Sequence, residues 1–114
     1  MRDSNNPDPE LLKTVLGPLL EDFEYWFTRS RTFLETEQLS FLSDREQSDL
    51  LRRVKLAADE VKTAKMLFTV AEGKVGVDMA TLMPWHQLVT ECWSVAMRFR
   101  SKQDVSREQD KLSN

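Results

Sequence analysis

Apolar positions early in the chain fall in alternating steps of four and three: Leu12, Leu16, Leu19, Phe23, Trp26, Ser30 and Phe33, with serine the one polar member. This spacing keeps a stripe on one side of a helix and predicts a first helix over about 9–36. Asp8-Pro9-Glu10 reads as its start. Aspartate can cap the free N–H groups, proline suits the first helical position, and glutamate complements the helix dipole. Gly17-Pro18 interrupts the stripe, because proline cannot donate a backbone hydrogen bond and disfavours a helical residue before it. The stripe stays in phase on both sides, so a kink is expected there rather than a break.

A second stripe runs Leu50, Val54, Ala57, Val61, Ala64, Phe68 and Ala71 in the same steps. Ser43-Asp44-Arg45-Glu46 is a capping box ahead of it, in which serine and glutamate each satisfy an orphaned backbone donor. The expected helix covers 44–72. Gly73 is its expected stop, since glycine takes a left-handed conformation at no steric cost. Alanines recur in this stripe where the first stripe is bulky, so the two can interdigitate closely. The short linker between them permits only antiparallel neighbours.

Residues 74–83 read as a connector with a helical turn after Asp78, and Pro84 fits the first turn of a third helix over 84–101. On a helical wheel its core arc holds Trp85, Leu88, Val89, Cys92, Val95, Ala96 and Phe99. His86, Trp93, Met97 and Arg100 gather on one flank. The pattern predicts an all-α fold, an antiparallel helical hairpin plus a third helix forming a three-helix bundle. Residues 1–8 would be a flexible N-terminus, 9–101 a single helical domain, and 102–114 a polar tail without apolar period.

Composition narrows the function classes. The chain has 114 residues, 40% hydrophobic and 31% charged, enough for one domain with a core and a solvated surface. A net charge of −3 argues against a nucleic-acid binder, which carries a basic surplus. The single cysteine, Cys92, cannot form an internal disulfide, and the first residues are polar rather than leader-like, so a cytoplasmic location is expected. No stretch is apolar enough for a membrane span. Contact with a membrane would be peripheral at most, through the amphipathic third helix.

Candidate chemistry is sparse. His86 is the only histidine and has Met83, not a glutamate, three residues before it, so a di-iron bundle motif is absent. Its bland reading is a boundary residue making one hydrogen bond, and its sharper one is a ligand to a pigment. Cys92 lies on the core arc, where a free thiol behaves as a small apolar group. Arg52, Arg53 and Lys55 are interleaved with Asp49, Asp59 and Glu60, which reads as a solvated face. Glu21 and Asp22 fall on the outer side of the first helix, so a catalytic cleft there is not expected. Gly73 and Gly76 lack the strand–loop–helix context of a phosphate loop.

One region exceeds a purely structural reading. Met66, Leu67 and Val70 lie opposite Phe68 and Ala71, so the end of the second helix is apolar nearly all round. Met79, Leu82, Met83 and Trp85 follow it closely, and then the Trp93–Met97 flank. Either the connector folds back over this surface, or part of it receives a protein partner or a second copy, since methionine and tryptophan are enriched in interface cores. The candidate partner-binding residues are therefore Met79, Leu82, Met83, Trp85 and His86, with Trp93, Met97 and Arg100 on the flank.

The blocks Leu16-Gly17-Pro18-Leu19-Leu20-Glu21-Asp22-Phe23, Gly76-Val77-Asp78-Met79-Ala80, and Leu82-Met83-Pro84-Trp85-His86-Gln87-Leu88-Val89-Thr90-Glu91-Cys92-Trp93 resemble a family of small cyanobacterial proteins, the domain-of-unknown-function family 2605. The likeness covers about residues 9–100, and Met83 to Leu88 is its most specific part. It implies a cyanobacterial source and a soluble helical domain, and brings no catalytic, metal or cofactor residue with it. The expectation is a non-enzymatic helical interaction module, an adaptor or assembly factor. The alternative is a pigment- or small-ligand-binding bundle using His86 beside Trp85 and Trp93.

Overall fold

The computed structural model describes residues 9–72 and 79–113, and side-chain surroundings for 14–72, 80–105 and 107–109. Three helices and no strand occur among them: α1 (Pro9–Thr36), α2 (Asp44–Val70) and α3 (Met79–Ser113). The chain is an all-α three-helix bundle, as the periodicity implies. Gly73, the connector residues 74–78 and the whole of the expected flexible N-terminus 1–8, Asp8 included, lie outside the described residues.

Helix α2 follows its expected frame. Leu50, Val54, Ala57 and Val61 are buried, and Ala64 and Phe68 pack partly buried against the same core. Ser43 and Glu46 form both halves of the capping box, Glu46 N–H to Ser43 Oγ at 3.0 Å and Ser43 N–H to Glu46 Oε1 at 2.8 Å. The stop differs from expectation. The helix ends at Val70, and the left-handed residue after it is Glu72 at φ 55°, ahead of Gly73.

Helix α1 is continuous through Pro18, and its buried line is offset from the expected one. Leu16 and Phe23 are buried as predicted, but Leu20, Phe27 and Leu34 are the other core members. Leu19, Trp26 and Phe33 are only half-buried. The reason is that α1 serves two neighbours. Trp26 meets Trp93 and Phe33 meets Phe99, both edge-on at 5.3 and 5.2 Å, so this line faces α3. On the α2 side the helices come close. A Cβ on Gly17 would lie 3.3 Å from the Phe68 ring, so that ring rests against α1 where glycine leaves room.

Helix α3 is longer than expected at both ends. Pro84 sits inside the helix rather than at its start, and the expected tail 102–114 is helical to Ser113. Met79, Ala80, Leu82 and Met83 are good helix formers, and Leu82 packs on the core, so the extra first turn is both favoured and anchored. No glycine or proline follows Pro84 to stop the helix. Apolar period ends at Phe99, so it marked where packing ends rather than where helix ends.

The linker holds the most specific polar clamp. Leu39 is 1% exposed and plugs the core between α1 and α2. Gln47 Nε2 donates to the carbonyls of Leu34 and Glu37 at 3.0 and 2.7 Å, and its Oε1 accepts from Leu39 N–H at 3.1 Å. One side chain thereby satisfies orphan carbonyls at the end of α1 and fixes the loop. Replacing Gln47 with alanine is expected to lower unfolding stability by about 2–3 kcal/mol, since each such bond is worth about 1 kcal/mol. Denaturant unfolding reads this directly, and a loss under about 0.5 kcal/mol would mean the loop is held otherwise.

Candidate functional site

The wheel of α3 holds up in detail. Trp85, Val89, Cys92 and Val95 are buried, and Leu88 and Phe99 are partly buried against the core. On the flank, His86 and Arg100 are exposed, with Trp93 at 45% and Met97 at 65% exposure. One edge of the Trp93 ring meets Trp26 of α1, and the rest of the stripe stays exposed among the described residues.

The remaining predicted partner residues divide. Met83 is 46% exposed, Leu82 is half-buried on the core, and the side chain of Met79 lies outside the described residues. Trp85 is corrected: at 4% exposure it belongs to the core, not to an open surface. Its ring stands edge-on to Phe23 at 5.6 Å, and its indole N–H donates to Glu60 Oε1 at 3.2 Å. A buried indole needs such a partner, and Glu60 supplies it from α2. At the end of α2, Met66, Leu67 and Val70 are all more than half exposed.

Sequence reasoning missed a cleft between α1 and α3. It has a volume of about 370 Å³ and follows from side-chain sizes. The Trp26–Trp93 and Phe33–Phe99 pairs bridge the two helices and hold them apart. Between these bridges stand only Ser30 on α1 with Cys92 and Ala96 on α3, too small to fill the gap. Leu34, Leu50 and Val95 complete an apolar floor, and Arg29 and Arg100 stand on opposite walls. The available signal was Ser30, the one small polar position in an otherwise bulky stripe. His86 is not among the lining residues, so the cleft and the histidine are separate features.

Cys92 is buried in the cleft floor. Burial, the largest influence, pushes its thiol above the ordinary range, and the Glu91 charge adds to this; a hydrogen bond with Ser30 and the Arg53 charge oppose it. Such a thiol is protonated at neutral pH and a poor nucleophile. Several basic residues elsewhere are engaged. Arg52 and Arg53 both pair with Asp49, holding its carboxyl below the usual range, and Arg53 reaches Glu91 on α3 at 2.8 Å. Arg98 and Lys102 lie over the Phe41 ring at 4.3 and 5.9 Å from its centroid. No group of three potential metal ligands occurs among the described residues, and no described helix is long and apolar enough to cross a membrane.

These features define a small all-α three-helix protein with an aromatic cleft and an exposed apolar helix flank. Residues 6–101 match the family described as "Protein of unknown function (DUF2605)", and the chain belongs to that family. No curated protein and no solved structure matches the chain.

The raised Cys92 value sets a pH dependence. Below the unfolded thiol's pKa both states are protonated and stability is full. As pH climbs past it, the unfolded chain releases a proton that the folded one keeps, so stability falls until the folded thiol also ionises. Urea midpoints between about pH 7 and pH 10 are expected to decline more steeply for the native chain than for Cys92→Ala. Parallel declines would contradict the thiol's contribution.

Proposed function

We propose that the chain is a non-enzymatic interaction module, an adaptor or assembly factor that docks a protein partner or a second copy of itself. The docking surface is the outer flank of α3, with Trp93 and Met97 as anchors and His86 and Arg100 beside them. The observation that carries this reading is the exposure of Trp93 and Met97, 45% and 65%, on one flank of α3. A tryptophan and a methionine one turn apart make a strong interface anchor, because tryptophan is a large rigid apolar surface and methionine adapts its shape to a partner. Met83 extends the apolar surface toward the start of α3.

Its setting in this reading is the cytoplasm of a cyanobacterium. The likeness of the Met83–Leu88 block supports the source, and a single buried free thiol supports a reducing compartment. The protonated state of Cys92 and the pairing of Asp49 with Arg53 and of Glu24 with Lys65 support a role without catalysis.

Capture from a cyanobacterial lysate with the tagged chain tests the proposal, alongside light scattering of the pure protein. Met97 is exposed, so Met97→Arg leaves the fold intact while placing a charge in the surface. The expected result is a retained protein, or a dimer mass, that is lost in Met97→Arg and in Trp93→Ala. A monomeric mass together with an identical set of retained proteins in wild type and variants would overturn it.

A further inference from the structure

We infer that the cleft between α1 and α3 binds a compact amphipathic monoanion, with its apolar body among the aromatic pairs and its charged group held by Arg29 and Arg100. Its volume of about 370 Å³ is that of a small-molecule pocket. The lining has the composition such pockets share, apolar and aromatic with a few polar groups that set orientation. The Trp26–Trp93 and Phe33–Phe99 bridges cross it on either side of Ser30 and Ala96. A cleft bridged twice offers no uninterrupted channel for a helix, so it suits a compact molecule.

Charge selects the class. Arg29 and Arg100 both line the cleft, and neither has a carboxylate within 4.0 Å among the described residues. Arg29 Nη1 donates to the Tyr25 hydroxyl at 3.0 Å, a neutral partner that leaves the guanidinium charge uncompensated. Two uncompensated guanidiniums at an apolar cleft favour a carboxylate or sulfonate, which accepts charge-assisted hydrogen bonds. Glu37, also in the lining, repels a second negative charge and disfavours phosphate esters and other dianions. The Ser30 hydroxyl on the floor offers one further polar contact.

The test uses the full chain and the fluorescent probe 8-anilinonaphthalene-1-sulfonate, with N-phenyl-1-naphthylamine as its uncharged counterpart. Saturable binding of the sulfonate at one site per chain is expected. The surface double variant Arg29→Gln, Arg100→Gln is expected to weaken it by about tenfold or more, while changing the uncharged probe little. Ala96→Phe, which fills the cleft, is expected to abolish binding of both, with helix content checked by circular dichroism. No saturable binding to the native chain would overturn the proposal. So would an unchanged sulfonate affinity in the double arginine variant. Unchanged binding to a folded Ala96→Phe protein would place the probe on the exposed Met66–Val70 or Trp93–Met97 surfaces and would equally overturn it.

Discussion

Helix α1 has to bury apolar side chains against two neighbours of opposite character, and the rest of the molecule follows from how it does so. Toward α2 the contact is close. Ala57 is buried in the core and Ala64 packs against it, and Gly17 lets the Phe68 ring lie against the α1 backbone. Toward α3 the contact is made by paired aromatic rings, which hold the helices apart wherever the residues between them are small. Close packing on one side gives the scaffold its stability, since dense contact collects the dispersion and hydrophobic terms. Wider spacing on the other side gives it a cleft.

Two further features tie that scaffold together. Gln47 binds the end of α1 to the start of α2, so the turn between them is fixed by three hydrogen bonds and the buried Leu39. The α3 helix is then held along its length by contacts of different kinds. Trp85 reaches Phe23 and Glu60, Glu91 reaches Arg53, and Arg98 lies over Phe41 in the linker. Past Phe99 the helix continues with its described side chains exposed. Trp93 and Met97 stay exposed on one flank of α3, and there the proposed partner surface lies.

The sequence was most legible where each helix has a single apolar frame. In α2, charged or polar residues separate most core positions, and the buried line and capping box were read correctly. The core arc of α3 was equally clear. In α1 the apolar residues come as neighbours, Leu19 with Leu20, Trp26 with Phe27, and Phe33 with Leu34, so two frames fit the pattern equally well. Both are used, one for the core and one for α3, and periodicity alone could not divide them. The ends of α3 were misread because apolar period reports packing, while helix extent also depends on propensity. Trp85 was misplaced because it lies on the core arc and in the exposed-looking Met79–Trp85 run at once. The cleft was illegible from any one helix, because it exists only where Ser30 comes opposite Cys92 and Ala96.

That absence of filling side chains between α1 and α3 is the claim on which both the cleft and the offset frame of α1 rest. Equilibrium denaturant unfolding of Ala96→Leu tests it most directly, because the sign of the change separates the two possibilities. If the space is there, the added leucine buries itself against Leu34, Phe33 and Val95, and stability rises by about 1 kcal/mol. A fall of about 1–3 kcal/mol, the cost of forcing atoms into a filled interior, would contradict the account.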